Sequence, residues 1–299
     1  MEFRIRLPGS TANLGPGYDA LGMALSIYNY IGIRIRSRPG VSFSIEGEGK
    51  DILPANEENL FYQSAQFAAQ RAGKTLPGID IHMHNSVPLA RGLGSSSTAI
   101  VGGVVAANRL LCEPFSQMEM LDIATAIEGH PDNVSPCLLG GLTASTMDGN
   151  RVACVRALPP QELRAVVAIP EFELKTEDAR NVLPDAISHR DAVFSTSRAC
   201  IVTAALITGD FEHLAVGMQD RLHHPYRAKL IPGFDQILAE AIKAGAWGAA
   251  LSGAGPTLIA LTTQNADAIG RAMIAIWAEK NIQARYRILK VDPSGATVT

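Results

Sequence analysis

Phe3-Arg4-Ile5-Arg6-Leu7 alternates apolar and charged side chains, the two-residue period of a half-buried strand. A similar pattern returns over residues 27–35 and 41–45, split by a turn at Pro39-Gly40, and again over residues 79–84. Between the first two strands lies a Gly- and Asn-rich segment, residues 8–22. Residues 59–72 bring Leu60, Ala65, Phe67 and Ala68 near one face of a helix, which Gly73 stops. Residues 92–94 are a glycine turn. Residues 95–111 predict a small-residue helix with little charge, and therefore a buried one. Residues 118–127 predict another helix and residues 138–146 a strand. The prolines of Leu158-Pro159-Pro160 interrupt regular structure and suit a boundary. Beyond it, residues 165–169, 249–251, 257–261 and 284–291 predict strands, and residues 192–207, 233–244 and 266–279 predict helices. Adjacent strands mixed with helices indicate an α+β chain in two parts, residues 1–158 and 159–299.

Composition narrows the picture. A length of 299 residues suits about two domains. Apolar residues make up 47%, enough for a sizeable core, and the 18% of charged residues form no long like-charge run, which argues against disorder. The net charge of −3 and a pI near 6.2 argue against a nucleic-acid partner held through its phosphates. The first residues lack the apolar segment of a signal peptide. No stretch approaches ~20 uninterrupted apolar residues, so no membrane span is expected. Cys112, Cys137, Cys154 and Cys200 lack C-x-x-C spacing and sit among apolar neighbours. They predict buried, reduced thiols in a cytoplasmic protein.

The chemistry concentrates in Pro88-Leu89-Ala90-Arg91-Gly92-Leu93-Gly94-Ser95-Ser96-Ser97-Thr98, with a strand before it and a helix after it. Glycines let backbone N–H groups approach an anion. A helix start adds unpaired N–H groups and the positive end of the dipole. Four successive hydroxyl residues offer phosphate donors and a Mg²⁺ ligand, so the segment predicts a phosphate cradle. An ordinary helix start capped by serine would need only one of them. Gly73-Lys74-Thr75 imitates the end of a P-loop, but Ala68 stands where that loop needs its first glycine, and a helix precedes it. Gly92-Leu93-Gly94 is not a dinucleotide fingerprint, because Ser97 holds the third glycine position. His82 and His84 share a strand face that could bind metal, yet no third ligand is evident along the chain.

Three motifs in order resemble the GHMP kinase superfamily. Pro88 to Ser96 matches its P-x-x-x-G-L-G-S-S motif. Ser252-Gly253-Ala254-Gly255-Pro256-Thr257 resembles its C-terminal glycine turn. Pro8-Gly9-Ser10-Thr11-Ala12-Asn13-Leu14-Gly15-Pro16-Gly17-Tyr18-Asp19 resembles its N-terminal motif. That first motif, Glu128-Gly129-His130-Pro131-Asp132-Asn133, and Arg180-Asn181-Val182-Leu183-Pro184 look like the homoserine kinase family within it. The resemblance implies an N-terminal domain like domain 2 of ribosomal protein S5 and a ferredoxin-like C-terminal α/β sandwich. It implies ATP and Mg²⁺ as cofactors, and phosphorylation of the hydroxyl of L-homoserine.

Roles follow from the resemblance residue by residue. Residues 88–98 would hold the nucleotide. Glu128 and Ser96 would hold Mg²⁺, and with Asn133 they are the catalytic candidates. Asn13, Asp19, Asn133, Arg180, Arg227 and Gly253 would hold the substrate, with Asp19 facing its ammonium group and the two arginines its carboxylate. Gly9, Tyr18 and Ser195 depart from the family pattern, and position 195 is given no role. His130 is expected to shape a loop rather than act as a base. A mevalonate or sugar kinase, a non-catalytic ligand-binding protein and an RNA-binding protein on the same scaffold are the alternatives. A homodimer is left open.

Overall fold

The structure is a computed structural model that describes residues 2–299. Its first sheet starts with a long antiparallel hairpin, β1 (Glu2–Asn13) against β2 (Gly17–Ile35), with register shifts at Pro8/Gly9 and Ala12/Asn13. β3 (Val41–Gly47) runs parallel to β4 (Ile79–Asn85), and helix α1 (Leu60–Arg71) makes the crossover that parallel neighbours require. Three helices follow: α2 (Ser95–Leu110), α3 (Gln117–Glu128) and α4 (Pro131–Leu139). The hairpin of β5 (Leu142–Asp148) and β6 (Arg151–Ala157) then joins β2. Phe61, Ile100, Val104 and Leu121 from the helices pack with Ile5, Ile31 and Ile81 of the strands into one core.

The second sheet begins at β7 (Arg164–Pro170). Five helices come next: α5 (Thr176–Asn181), α6 (His189–Thr208), α7 (Leu214–Gly217), α8 (His224–Arg227) and α9 (Phe234–Lys243). β8 (Gly248–Leu251), β9 (Leu258–Thr262), α10 (Ala266–Glu279) and β10 (Ala284–Lys290) complete it. The strand order β10-β7-β9-β8, antiparallel throughout, is that of the expected ferredoxin-like β-α-β-β-α-β unit. Buried Trp277 anchors α10 here, its indole donating to Pro232 O at 2.9 Å. The chain then returns: β11 (Thr297–Val298) pairs with β1 in the first sheet, and Val291 bridges Leu25. The last residues of the 159–299 segment thus belong to the first sheet.

Several expectations change. The Gly- and Asn-rich segment at 8–22 is mostly strand, not loop. Alternation vanishes there because Leu7–Asn13 is buried on both faces, and a strand covered on both sides keeps no two-residue period. Met23 and Leu25 of that hairpin lie in a second core with Val167, Val202 and Leu261, while Leu93, Ser252 and Gly253 close on residues 9–12. The strand expected at 138–146 splits: α4 takes its start, Gly140 and Gly141 turn the chain, and β5 begins at Leu142. A short apolar run reads equally as helix or strand. Cys112 and Cys200 are exposed rather than buried, and all four cysteines are free. α6 is the one helix, among the described residues, long and apolar enough to cross a membrane. It lies against the second core through Val202, Ala205 and Leu206.

Candidate active site

The three glycine motifs meet at a cleft lined from both parts of the chain. Gly92 and Gly94 have φ of +73° and +71°, which favour glycine. A Cβ on Gly92 would stand 2.2 Å from Ser252 O, and one on Gly94 2.3 Å from Ser10 Oγ. These glycines therefore do more than expose N–H groups; they let the other two motifs close on the loop. Ser252 Oγ donates to Gly92 O at 2.6 Å, Gly253 N donates to Ala12 O at 3.1 Å, and Ser10 N donates to Leu93 O at 3.0 Å.

Gly94 is the N-cap of α2. No side chain caps that helix and no acid sits in its first turn. Its first N–H groups and the positive end of its dipole thus stand open beside Ser95 and Ser96 on the cleft. The four hydroxyls divide. Ser96 Oγ and Ser97 Oγ each donate to Glu128 Oε1 at 2.9 Å, which joins the end of α3 to the start of α2. Thr98 Oγ1 donates to Ser95 O and accepts from Asn29, and both Thr98 and Asn29 line the cleft. Leu89, Ala90 and Gly92 line the cleft, while Pro88, Leu93 and Ser97 do not. Arg91 lines it too, but its guanidinium is engaged by the carbonyls of Pro170 and Glu171.

Asn133, at the start of α4, accepts from Ser10 Oγ at 2.9 Å. Before it, His130 Nδ1 lies 2.5 Å from Asp132 Oδ1. Burial disfavours the charged imidazole, but the hydrogen bond to Asp132 and the charges of Asp132, Glu128 and Asp19 outweigh burial and raise its pKa. Asn13 is buried and largely engaged: it donates to Gly253 O at 3.0 Å and accepts from Asp19 N at 3.0 Å. Asp19 and Arg180, expected to meet a ligand's ammonium and carboxylate, both line the cleft and pair with each other. Arg180 grips Asp19 with two hydrogen bonds, 2.7 and 3.1 Å, and also donates to Tyr18 Oη at 3.0 Å. Each charge of the pair is satisfied by the other.

Arg227 differs. It is 2% exposed, lines the cleft, and donates from Nε to Ala179 O and from Nη1 to Gly253 O. No carboxylate reaches ion-pair distance among the described residues. Burial is the first cause pushing its pKa down. Ser195, left without a role by sequence, is structural: it donates to Asp220 and accepts from Arg221 N. Sequence reasoning missed the apolar end of the cleft, where Leu53, Leu60 and Met83 gather and Asn85 Oδ1 is buried without a hydrogen-bond partner. Asn85 closes an alternating strand at a buried position, the one local signal that could have marked it.

A phosphate-sized, positively polarised helix start at the centre of such a cleft, with opposite charges gathered beside it, belongs to the ATP-dependent small-molecule kinases. Comparison carries this further. The GHMP kinases N terminal domain matches residues 59–141, and the GHMP kinases C terminal domain matches residues 202–279. A homoserine kinase of Moorella thermoacetica is 44% identical over 98% of this chain and 99% of its own length. One from Trichormus variabilis is 45% identical over 98% and 97%. The crystal structure of homoserine kinase from Cytophaga hutchinsonii superposes with a TM-score of 0.90 at 32% identity, covering 100% of this chain and 97% of that one. The chain belongs to the homoserine kinases of the GHMP kinase family.

Proposed function

We propose that the chain transfers the γ-phosphoryl group of ATP to the hydroxyl of L-homoserine, giving O-phospho-L-homoserine and ADP. The observation that carries the substrate is Arg227. A buried guanidinium without a carboxylate partner is expensive, and an anionic ligand in the cleft relieves it. Asp19 and Arg180 add a negative and a positive group at one place. An amino-acid substrate exchanges their internal pair for two new ones, its ammonium on Asp19 and its carboxylate on Arg180 and Arg227. Asn13 holds Asp19 in place for that exchange.

The start of α2 takes the nucleotide phosphates, with Ser95 and Ser96 donating to them. The apolar end formed by Leu60 and Met83 suits a purine, and Asn85 Oδ1 suits its amino group. Glu128 and Ser96 form an oxygen-only donor pair, which fits Mg²⁺. When bound there, the cation supplies neutralisation of phosphate charge. The protein's own contribution is positioning: it holds the anionic nucleotide and the zwitterionic amino acid in line in one cleft with their charges matched.

A coupled ADP-release assay over homoserine, mevalonate, serine and galactose tests the reading. Homoserine should be the preferred acceptor. Mevalonate shares the carboxylate but lacks an ammonium for Asp19, and serine places its hydroxyl one methylene short. Good turnover of mevalonate with poor turnover of homoserine would sink the substrate assignment and leave the kinase class standing.

A further inference from the structure

His223 is fully buried one residue before α8, away from any solvent. Its ring touches two things that matter. Nε2 lies 2.8 Å from Gly15 O, in the turn of the N-terminal motif. Nδ1 lies 3.4 Å from Nη1 of Arg227. A carbonyl oxygen can only accept, so Nε2 must carry the proton. A guanidinium can only donate, so Nδ1 must be bare. Only the neutral Nε2–H tautomer satisfies both neighbours at once.

The surroundings enforce that state. Asp220 does not compete strongly for the ring, since its carboxylate accepts the backbone N–H groups of Leu222, His223 and His224 and the hydroxyl of Ser195. The His224 ring packs edge-on at 4.6 Å and the Tyr18 ring lies at 5.3 Å. Burial first, then the charges of His224 and Arg227 against the pull of Asp220, push the imidazole down to about 3.

We propose that His223 is a positioning residue for substrate recognition: its neutral imidazole, hung from the N-terminal motif by Nε2, presents Nδ1 as the acceptor that aims the Arg227 guanidinium into the cleft. Gly253 O accepts from the same Nη1, and Ala179 O accepts from Nε of the same guanidinium. The imidazole thereby ties the hairpin that carries Asp19 to the arginine that faces it, and sets the separation of the two charges. This inference rests on the carboxylate-binding role of Arg227 proposed above.

Two conservative variants separate the two bonds. An asparagine places its amide where Nδ1 sits, and a glutamine places it where Nε2 sits. H223N should keep the acceptor for Arg227, lose the bond to Gly15, and hold the homoserine KM within about threefold of wild type. H223Q should keep the bond to Gly15, lose the acceptor, and raise the homoserine KM about tenfold, the effect of one hydrogen bond to a charged group. The ATP KM should stay unchanged in both. An unchanged homoserine KM in H223Q, an equal rise in both variants, or a parallel rise in the ATP KM would each overturn the proposal. Nitrogen-15 NMR of the wild-type imidazole needs no variant to fold. It should show a neutral ring protonated at Nε2, and a proton on Nδ1 would overturn the proposal. Wild-type enzyme inert toward homoserine takes down the substrate reading and this inference together, whereas active wild type with unaltered H223Q takes down this inference alone.

Discussion

Single side chains carry most of the chemistry in this cleft. Glu128 accepts two serine hydroxyls on one carboxylate oxygen, at the start of the phosphate-facing helix. Glu128→Ala should lower kcat by ~10²-fold or more, on the order of 3 kcal/mol, in steady-state assays at saturating Mg²⁺. Near wild-type turnover would remove it from the metal site. Arg227 makes a different prediction, because it is buried and unpaired. Arg227→Met keeps the bulk but leaves the carbonyls of Ala179 and Gly253 and Nδ1 of His223 without their donor, so the melting temperature should fall. The kcat/KM for homoserine should drop by ~2–4 kcal/mol while the KM for ATP stays put. A variant with full activity on homoserine would free the substrate carboxylate from this residue.

At the scale of elements, the start of α2 is the decisive piece. A helix beginning without a side-chain cap or an acid in its first turn is locally unfavourable, since Asp or Glu there would stabilise it by ~0.3–1 kcal/mol. That missing acid is consistent with a helix start kept open for phosphate. Ser95→Asp tests the point by separating stability from binding. The melting temperature should hold or rise, and the KM for ATP should climb about tenfold or more. A destabilised variant with an unchanged ATP KM would place the nucleotide elsewhere. Ser95, Ser96 and Thr98 all line the cleft, but Thr98 Oγ1 is already engaged by Ser95 O and Asn29.

The two sheets share the second apolar core, and two buried histidines beside it make the stability of the whole molecule depend on pH. Burial pushes His224 down to about 4 and His223 down to about 3. Both folded-state values lie below the ~6.5 of an unfolded histidine, so protons favour the unfolded chain. This stability is whole above about pH 6.5 and is lost as pH falls toward about 4. Each histidine should remove about 2 kcal/mol by pH 5. Thermal melts between pH 7 and 4.5 should show the decline, and H224Q should show a shallower one. A melting temperature flat across that range would mean that one or both rings accept a proton in the folded state.

By itself, the sequence determined what is local. A glycine turn followed by hydroxyl residues and a small-residue helix specifies a helix start within about ten positions, because glycine dihedrals and helix termini are properties of neighbouring residues. The order of the three motifs made the family legible, and the ferredoxin-like second part was implied by that resemblance and agrees with the observed strand order. Tertiary structure decided the rest. Whether residues 8–13 alternate depends on what covers their second face, and that cover comes from distant segments: Val87 and Leu93 against Gly9, Asn133 against Ser10, and Ser252 and Gly253 against Thr11 and Ala12. Asp19 and Arg180 lie 161 positions apart, and nothing along the chain says that they grip each other. The burial of Arg227 and the single tautomer available to His223 depend on the same packing. Charge type is written in the sequence; the company a charge keeps is set by which surfaces fold together.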